Sequence, residues 1–573
     1  MNFKILGAMV TLSFSLMAGK AFAQDNYSVL AYHSVVDESA PKSQQLFISQ
    51  TIPVQKLISH FNWLKDNGYN VISWQQVIDA EKGKGTLPPK AVVLSFDDGY
   101  ETMYSVVYPL LKAYQYPAVF APVTKWINTP AGGKIDYGNQ MLDRATFFST
   151  WAQISEMRRS GLVEIASHSY DSHHGVIANP TGSQQPAMLA PIYQNDKYES
   201  EAQYKARVNQ DLRRSANDIA KQAGKAPSII VWPYGAFNNI SIEQAKSAGM
   251  PYYFTLKEKI NRVGDAHVGR FLVDAETELG VLKNYLERTE DPHNTTVERV
   301  LQIRLDEIDD PNPAQFEKNY NALINRVYKS GVTTVYLSGF SDPNQDGVID
   351  AVYFPNSVLP VKADRFSQVA WQLRKRAGVN VYAWMPSSLN NLPPQARTES
   401  AMVNLFKSLA LYTKFDGVFF DDHLNPNDWA SHDASTIRLT ENAKNAMAPY
   451  FYWGNENIKT ARNLNPQAVD FTQTFANYRQ AYNMVVVNVE DNPKTIIESV
   501  QQHQLPANKI IFNFNNKENG QLISSRQLIE KTKQLEKAGL MNLSYTFNHF
   551  LTEEKTLNEL KPYISTNRDV TRN

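Results

Sequence analysis

The chain of 573 residues is 43% apolar, enough to bury more than one core, since single cores stop growing beyond about 250–300 residues. Lys plus Arg and Asp plus Glu each number 57, so the formal charge is zero. The absence of a polybasic field excludes nucleic acid and anionic membrane surfaces as partners recognised by charge.

Residues 1–23 read as an export signal. Lys4 supplies the positive start, Ile5 to Met17 a mostly apolar stretch, and Ala21 and Ala23 the small residues before a cut ahead of Gln24. The stretch is short and interrupted by Thr, Ser and Gly, which disfavours a membrane anchor. There is no Cys, so neither a lipidated cysteine nor disulfide staples are expected. A soluble protein of the periplasm or the cell exterior is the expectation.

Residues 27–33 (YSVLAYH) predict a short strand ending on His33, and Leu57, Phe61 and Leu64 predict a helix stopped by Asn67-Gly68. Ala91 to Phe96 is nearly all apolar, as a parallel strand covered on both faces requires, and Asp97, Asp98 and Gly99 follow directly. Apolar runs at 118–120, 162–166 and 229–232 alternate with helical candidates such as 208–223. Each run ends in polar residues, where β/α folds keep their chemistry. The expected fold class is α/β, with a first β/α domain over 24–280.

Residues 281–295 mix charge, Pro and Asn and are expected to be a linker, hinging the two domains. From 296 to 573 the rhythm restarts: strands at 300–305, 332–337, 379–384, 417–420, 482–487 and 509–514, with helices such as 316–328 and 402–411. Seven or eight such units predict a second, TIM-like (β/α)8 barrel. Asp342-x-Asn344-x-Asp346-Gly347-x-Ile349-Asp350 places oxygens like the start of a calcium loop. Position 12 is Tyr353 and not a bidentate Glu, so a solvated βα loop is the expectation here.

A hydrolytic metal site needs a few fixed N and O ligands, an open position and a base for the water proton. Asp97 and Asp98 are adjacent, so their side chains diverge; one is expected to bind metal and the other to handle protons. His168 and His173 follow another strand, with four residues between them. On a loop two such imidazoles converge on one ion, whereas on a regular helix they would lie more than about 100° apart.

SFDDGY (95–100) resembles the first motif of the NodB-homology polysaccharide deacetylases, and SHSYDSHHG (167–175) resembles their second. The histidine spacing is similar to that of the periplasmic poly-β-1,6-N-acetyl-D-glucosamine N-deacetylases of biofilm export systems. The resemblance implies that Asp97 is the catalytic base and that Asp98, His168 and His173 hold one divalent metal, with zinc, cobalt, nickel or iron all suited to the donors. His174 has no metal role in it. Trp232-Pro233-Tyr234-Gly235 resembles the third motif, whose Tyr backbone N–H holds the oxyanion. The Arg that usually precedes that motif is replaced by Val231, which leaves the residue orienting Asp97 unassigned. His33 resembles the general acid, placed N-terminally as in a distorted, circularly permuted deacetylase barrel.

In the second half, 415–423 (FDGVFFDDH) puts Asp421 and Asp422 at a strand's C-terminal end, the catalytic face of a barrel. Asp306 and Asp416 are reserve candidates for substrate positioning or water activation, and Trp384, Trp429 and Trp453 for stacking on sugar rings. The resemblance implies a glycoside-hydrolase-like barrel that binds and cleaves partly deacetylated polymer, in an acidic cleft with Asp422 preferred over Asp421 as the acid. It also implies an outer-membrane export porin or scaffold as partner. Three other readings stay open: a deacetylase of chitin or peptidoglycan, a carbohydrate-binding scaffold with a non-catalytic second domain, and a metallophosphoesterase.

Overall fold

The computed structural model describes residues 25–566 except 47, 139, 290–296, 422–432, 453–457, 465–470, 490–491 and 519–520. The expected signal, Asp422, Trp429 and Trp453 lie outside the described residues. Among those described, no helix is long and apolar enough to cross a membrane.

Strands β1 (Asn26–Tyr32), β2 (Ala91–Asp98), β3 (Ala118–Pro122) and β4 (Val163–Ile165) pair in parallel, in chain order. A second parallel set comprises β5 (Ile229–Val231), β6 (Tyr252–Thr255) and β7 (His267–Gly269). Two seams join the sets into a ring. A bridge from Ser167 to Ile230 links the end of β4 to β5. Strand β8 (Phe271–Leu272), one residue beyond β7, pairs with β1. The first domain is therefore a distorted barrel closed between its N-terminal and C-terminal strands. Every residue of β2 is buried, which accounts for its unbroken apolar run.

Helix α1 (Val54–Asp66) buries Leu57, Phe61 and Leu64 as the spacing predicts. Helix α2 (Glu201–Ala223) starts seven residues before the expected Val208. Its apolar periodicity begins late, but Ser200 and Gln203 form a capping box that marks the true start.

The expected linker begins as helix α3 (Leu279–Glu287), which buries Leu282 and Tyr285 in the first core, with the Tyr285 hydroxyl donating to Val29 O at 3.3 Å. Only Lys283, Asn284 and Glu287 of α3 are charged or amide residues; the linker reading rests on the charged, Pro- and Asn-bearing residues that follow it.

The second half is a closed parallel barrel of β9 (Arg299–Ile303), β10 (Thr334–Ser338), β11 (Asn380–Pro386), β12 (Gly417–Asp421), β13 (Lys459–Leu464), β14 (Met484–Asn488), β15 (Ile510–Asn515) and β16 (Leu543–Thr546). The two halves meet closely and are not hinged at an open joint. Glu201 pairs with Lys407 at 2.9 Å, Gln185 donates to Ser367 at 3.0 Å, and the Ile240 N–H donates to Pro449 O at 3.1 Å. Tyr198 donates to half-buried Asp364, and one apolar cluster runs from Tyr204 and Trp232 into the barrel wall.

Candidate metal centre and barrel cleft

At the end of β2 the Gly99 N–H donates to Asp97 O at 2.9 Å, folding the chain over Asp98, whose φ is +71°. Gly99 is required there: its own φ is +97°, and a Cβ would meet that of Pro122 at 3.0 Å. This tight turn sends the two adjacent carboxylates to different partners.

Asp98 Oδ1 lies 3.2 Å from Nε2 of His168 and 3.2 Å from Nε2 of His173. The other oxygen, Oδ2, accepts from Tyr100 at 2.7 Å and Tyr137 at 3.2 Å. His168 Nδ1 is 2.8 Å from Val231 O, which makes Nδ1 the donor and leaves the Nε2 lone pair facing Asp98. Oδ1 is buried without a hydrogen-bond partner. Lone pairs gathered on a buried carboxylate oxygen repel unless a cation lies between them, and donors about 2.1 Å from one tetrahedral ion stand about 3.4 Å apart. The three residues therefore fit a divalent metal.

The loop that carries the histidines is braced from α2. Asp211 accepts the N–H groups of Tyr170 at 3.0 Å and Asp171 at 2.8 Å, and Ser215 meets Ser167 Oγ at 2.7 Å. Ser169 sits at φ +72°. His174 is exposed and stands outside the cluster.

Asp97 faces the opposite way. Its Oδ1 accepts from Arg270 Nη1 at 2.8 Å, and its Oδ2 lies 3.8 Å from His33 Nε2. Arg270 is the orienting residue that the sequence left unassigned. It occupies the single position between β7 and β8, and also bonds Ser95 Oγ at 3.0 Å and Thr255 O at 3.2 Å. Burial would raise the Asp97 carboxyl, yet the Arg270 guanidinium beside it holds it below the usual range. Burial pushes the His33 imidazole down, against the pull of Asp97 and Asp98.

These groups open into a cleft of about 1090 Å³ that Trp126, Tyr137 and Tyr234 also line. The Tyr234 ring lies 4.6 Å from that of His173, and its backbone is left-handed at φ +58°.

The barrel has its own cleft, of about 380 Å³, at the C-terminal ends of its strands. Asp421 is at its floor, accepting from Trp384 Nε1 at 2.8 Å and from Asn463 Nδ2 at 2.6 Å. Trp384 is thus mostly buried and bonded to the carboxylate, though one face borders the cleft. Two reserve candidates belong elsewhere. Asp416 precedes β12, at the other end of the strand from Asp421, where it accepts from Arg374 Nε and the Val381 N–H, both at 2.9 Å. Asp306 is outside the cleft lining, held by Tyr353 at 2.7 Å, Lys362 at 2.8 Å and Ser341 at 2.6 Å. The next residue, Glu307, does line the cleft, and burial pushes its carboxyl up to about 7. Its adjacency to Asp306, after the same strand, is the mark it carries in the sequence. The described walls are not acidic as expected: Glu307 and Asp421 are balanced by Arg304 and Lys517 among five Asn and two Gln side chains.

Residues 84–253 match the family model described as polysaccharide deacetylase, and residues 302–401 match that of hypothetical glycosyl hydrolase family 13. The poly-β-1,6-N-acetyl-D-glucosamine N-deacetylase of Escherichia coli (strain K12) is 31% identical over 638 aligned residues, covering 96% of this chain and 94% of that protein. The chain belongs to the poly-β-1,6-N-acetyl-D-glucosamine N-deacetylases. The enzyme of that name from Staphylococcus aureus (strain MRSA252) is 26% identical over 230 residues, 40% of this chain and 69% of that one. A solved de-N-acetylase from Aggregatibacter actinomycetemcomitans is 60% identical, covering 46% of this chain and all of that one, with a TM-score of 0.44. In this member of the deacetylase family, His33 and Arg270 both lie outside the stretch matched as polysaccharide deacetylase, and ring closure brings them to Asp97.

Proposed function

We propose that this chain removes acetyl groups from β-1,6-linked N-acetylglucosamine polymer, using a divalent metal held by Asp98, His168 and His173. The observation that carries this reading is the buried, unpartnered Asp98 Oδ1 facing two imidazole nitrogens, with a second carboxylate close by on Arg270. A divalent ion there would supply Lewis acidity toward the N-acetyl carbonyl and the attacking water. Asp97, kept ionised by Arg270, accepts the water proton; Arg270 also fixes which oxygen faces the substrate. His33, neutral at rest, takes that proton across the 3.8 Å gap from Asp97 and delivers it to the departing amine. The Tyr234 backbone N–H holds the developing oxyanion, and Trp126 and Tyr137 wall the sugar.

The barrel cleft, in this reading, binds the partly deacetylated polymer through its amide-rich walls and cleaves it. Asp421 is the carboxyl group fixed by two donors, and the proton comes from Glu307 or Asp422. Polymer export from the periplasm through an outer-membrane partner is the setting that the leader-like 1–23 and the family support. The test is incubation of the full chain with defined oligomers of β-1,6-linked and β-1,4-linked N-acetylglucosamine, read by mass spectrometry. Acetyl loss from the β-1,6 series is expected; loss confined to the β-1,4 series would overturn the substrate, and no acetyl loss would overturn the reaction. Shortened chains report the barrel separately.

A further inference from the structure

Loop 342–350 closes a hairpin whose strands, Phe340–Ser341 and Ala351–Val352, pair antiparallel beside the barrel cleft. Three side-chain oxygens turn onto its backbone. Asp342 Oδ2 accepts the Gly347 N–H at 3.2 Å, Asn344 Oδ1 the Asp346 N–H at 3.2 Å, and Asp346 Oδ1 the Val348 N–H at 2.8 Å. Gly347 has φ +85°, and Ile349 pins the loop to the core with its N–H on Asn391 O at 2.8 Å.

Two atoms do not suit the solvated loop expected from the sequence. Asp342 is only 1% exposed, and its Oδ1 has no partner. Asn391, also 1% exposed, reaches the loop by donating Nδ2 to Gly347 O at 3.0 Å, and its Oδ1 is likewise unpartnered. Buried oxygens without a donor are strongly unfavourable, and a carboxylate most of all. Burial accordingly pushes the Asp342 carboxyl up, a penalty that a bound cation would reverse.

We propose that residues 342–350 bind one calcium ion through the side chains of Asp342, Asn344 and Asp346 and the Val348 carbonyl, with Asp350 acting directly or through water. The donors are all oxygens at positions 1, 3, 5, 7 and 9 of a calcium loop, which favours a hard cation tolerant of irregular geometry. Position 12 gives no ligand, because the Tyr353 hydroxyl is committed to Asp306 at 2.7 Å. Without that bidentate group, the affinity falls in the weak range of on the order of 10⁻⁴–10⁻³ M. The ion has a local consequence. The Asp342 N–H and Ser341 hydroxyl hold Asp306, and Gln345, left-handed at φ +57°, lines the barrel cleft. Calcium would therefore fix one lip of that cleft whether or not the cleft is catalytic.

The test is calorimetric titration of the full chain with calcium chloride, and separately with magnesium chloride, after the Asp98 centre has been loaded with a transition metal. One calcium per chain is expected, with magnesium at least about tenfold weaker. Asp346→Asn and Asp350→Asn change exposed side chains, and each should weaken calcium at least about tenfold while leaving deacetylation unchanged. No calcium heat up to about 10 mM, or equal binding by wild type and both variants, overturns the proposal.

Discussion

The two clefts are built on different principles. At the metal centre three non-glycine residues, Asp98, Ser169 and Tyr234, hold left-handed backbone, each at or just beyond the C-terminal end of a different strand. In the barrel cleft Trp384, Asp421, Asn463, Asn488 and Asn513 all stand on regular strands, and among the described lining residues only Gln345 is left-handed. Left-handed positions cost of order 1–3 kcal/mol each and persist only when the surroundings over-determine them. Here the bracing comes from Asp211, Gly99 and the Tyr100–Tyr137 pair. Strained loops bring ligands from distant motifs onto one point, whereas strand ends offer a broad, amide-lined floor suited to holding a polymer.

The sharpest way to break this comparison is at the adjacent carboxylates. Asp98→Asn should abolish metal retention, measured by elemental analysis, and with it deacetylation. Asp97→Asn should keep the metal and lose about 10²–10⁴-fold in rate. Equal metal loss in both variants would refute the division that the Gly99 turn enforces.

Next in size is Arg270→Met. It leaves Asp97 as an unpaired buried charge and removes the bonds that tie the β7–β8 junction to Ser95 and Asp97 of β2 and to Thr255 of β6, so a destabilisation of about 3–5 kcal/mol in urea unfolding is expected. Metal content at low temperature should be unchanged. In the barrel, Asp421→Asn should abolish shortening of partly deacetylated oligomers by the full chain without affecting acetyl release. Persistence of cleavage would move the role to Glu307 or Asp422, which Glu307→Gln separates. The full chain is used because the halves bury Tyr204, Trp232 and the Glu201–Lys407 pair against each other.

The smallest effect is on acid stability. His60 is fully buried against Tyr32, and burial lowers its imidazole from 6.5 to about 4. The neutral form is favoured on folding, so the stabilisation is complete above about pH 6.5 and is lost as pH falls toward 4, by roughly 3 kcal/mol at most. Urea unfolding at stepped pH, wild type against His60→Gln, should show a shallower acid loss in the variant.

The metal centre was largely legible because its residues sit in short runs, Asp97-Asp98 and His168 to His173, whose order along the chain is their chemistry. Arg270 was not: it is a lone cation 173 residues from Asp97, and nothing local marks it. The ring closure that brings it there is a tertiary fact. The barrel rhythm was legible from apolar strands, but β13 escaped because three of its buried residues, Thr460, Arg462 and Asn463, are polar, and Asp306 was preferred over Glu307 because adjacency just after a strand does not say which neighbour points inward. The helix at the start of the expected linker was not legible because the charged, Pro-bearing run from Arg288 onward overshadowed the apolar side chains of α3 just before it.

The turn over Asp98 bears on which substitutions evolution can sample at this site. A ligand there must supply a carboxylate and also live at φ +71°, a region that Asp and Asn visit several times more often than other side chains. Glu, chemically the nearest alternative, combines a longer reach with a poorer fit to that backbone. The identity of the metal ligand is thus constrained by the torsion of its own residue as well as by the ion: Asn and Gly suit that backbone but bring no carboxylate.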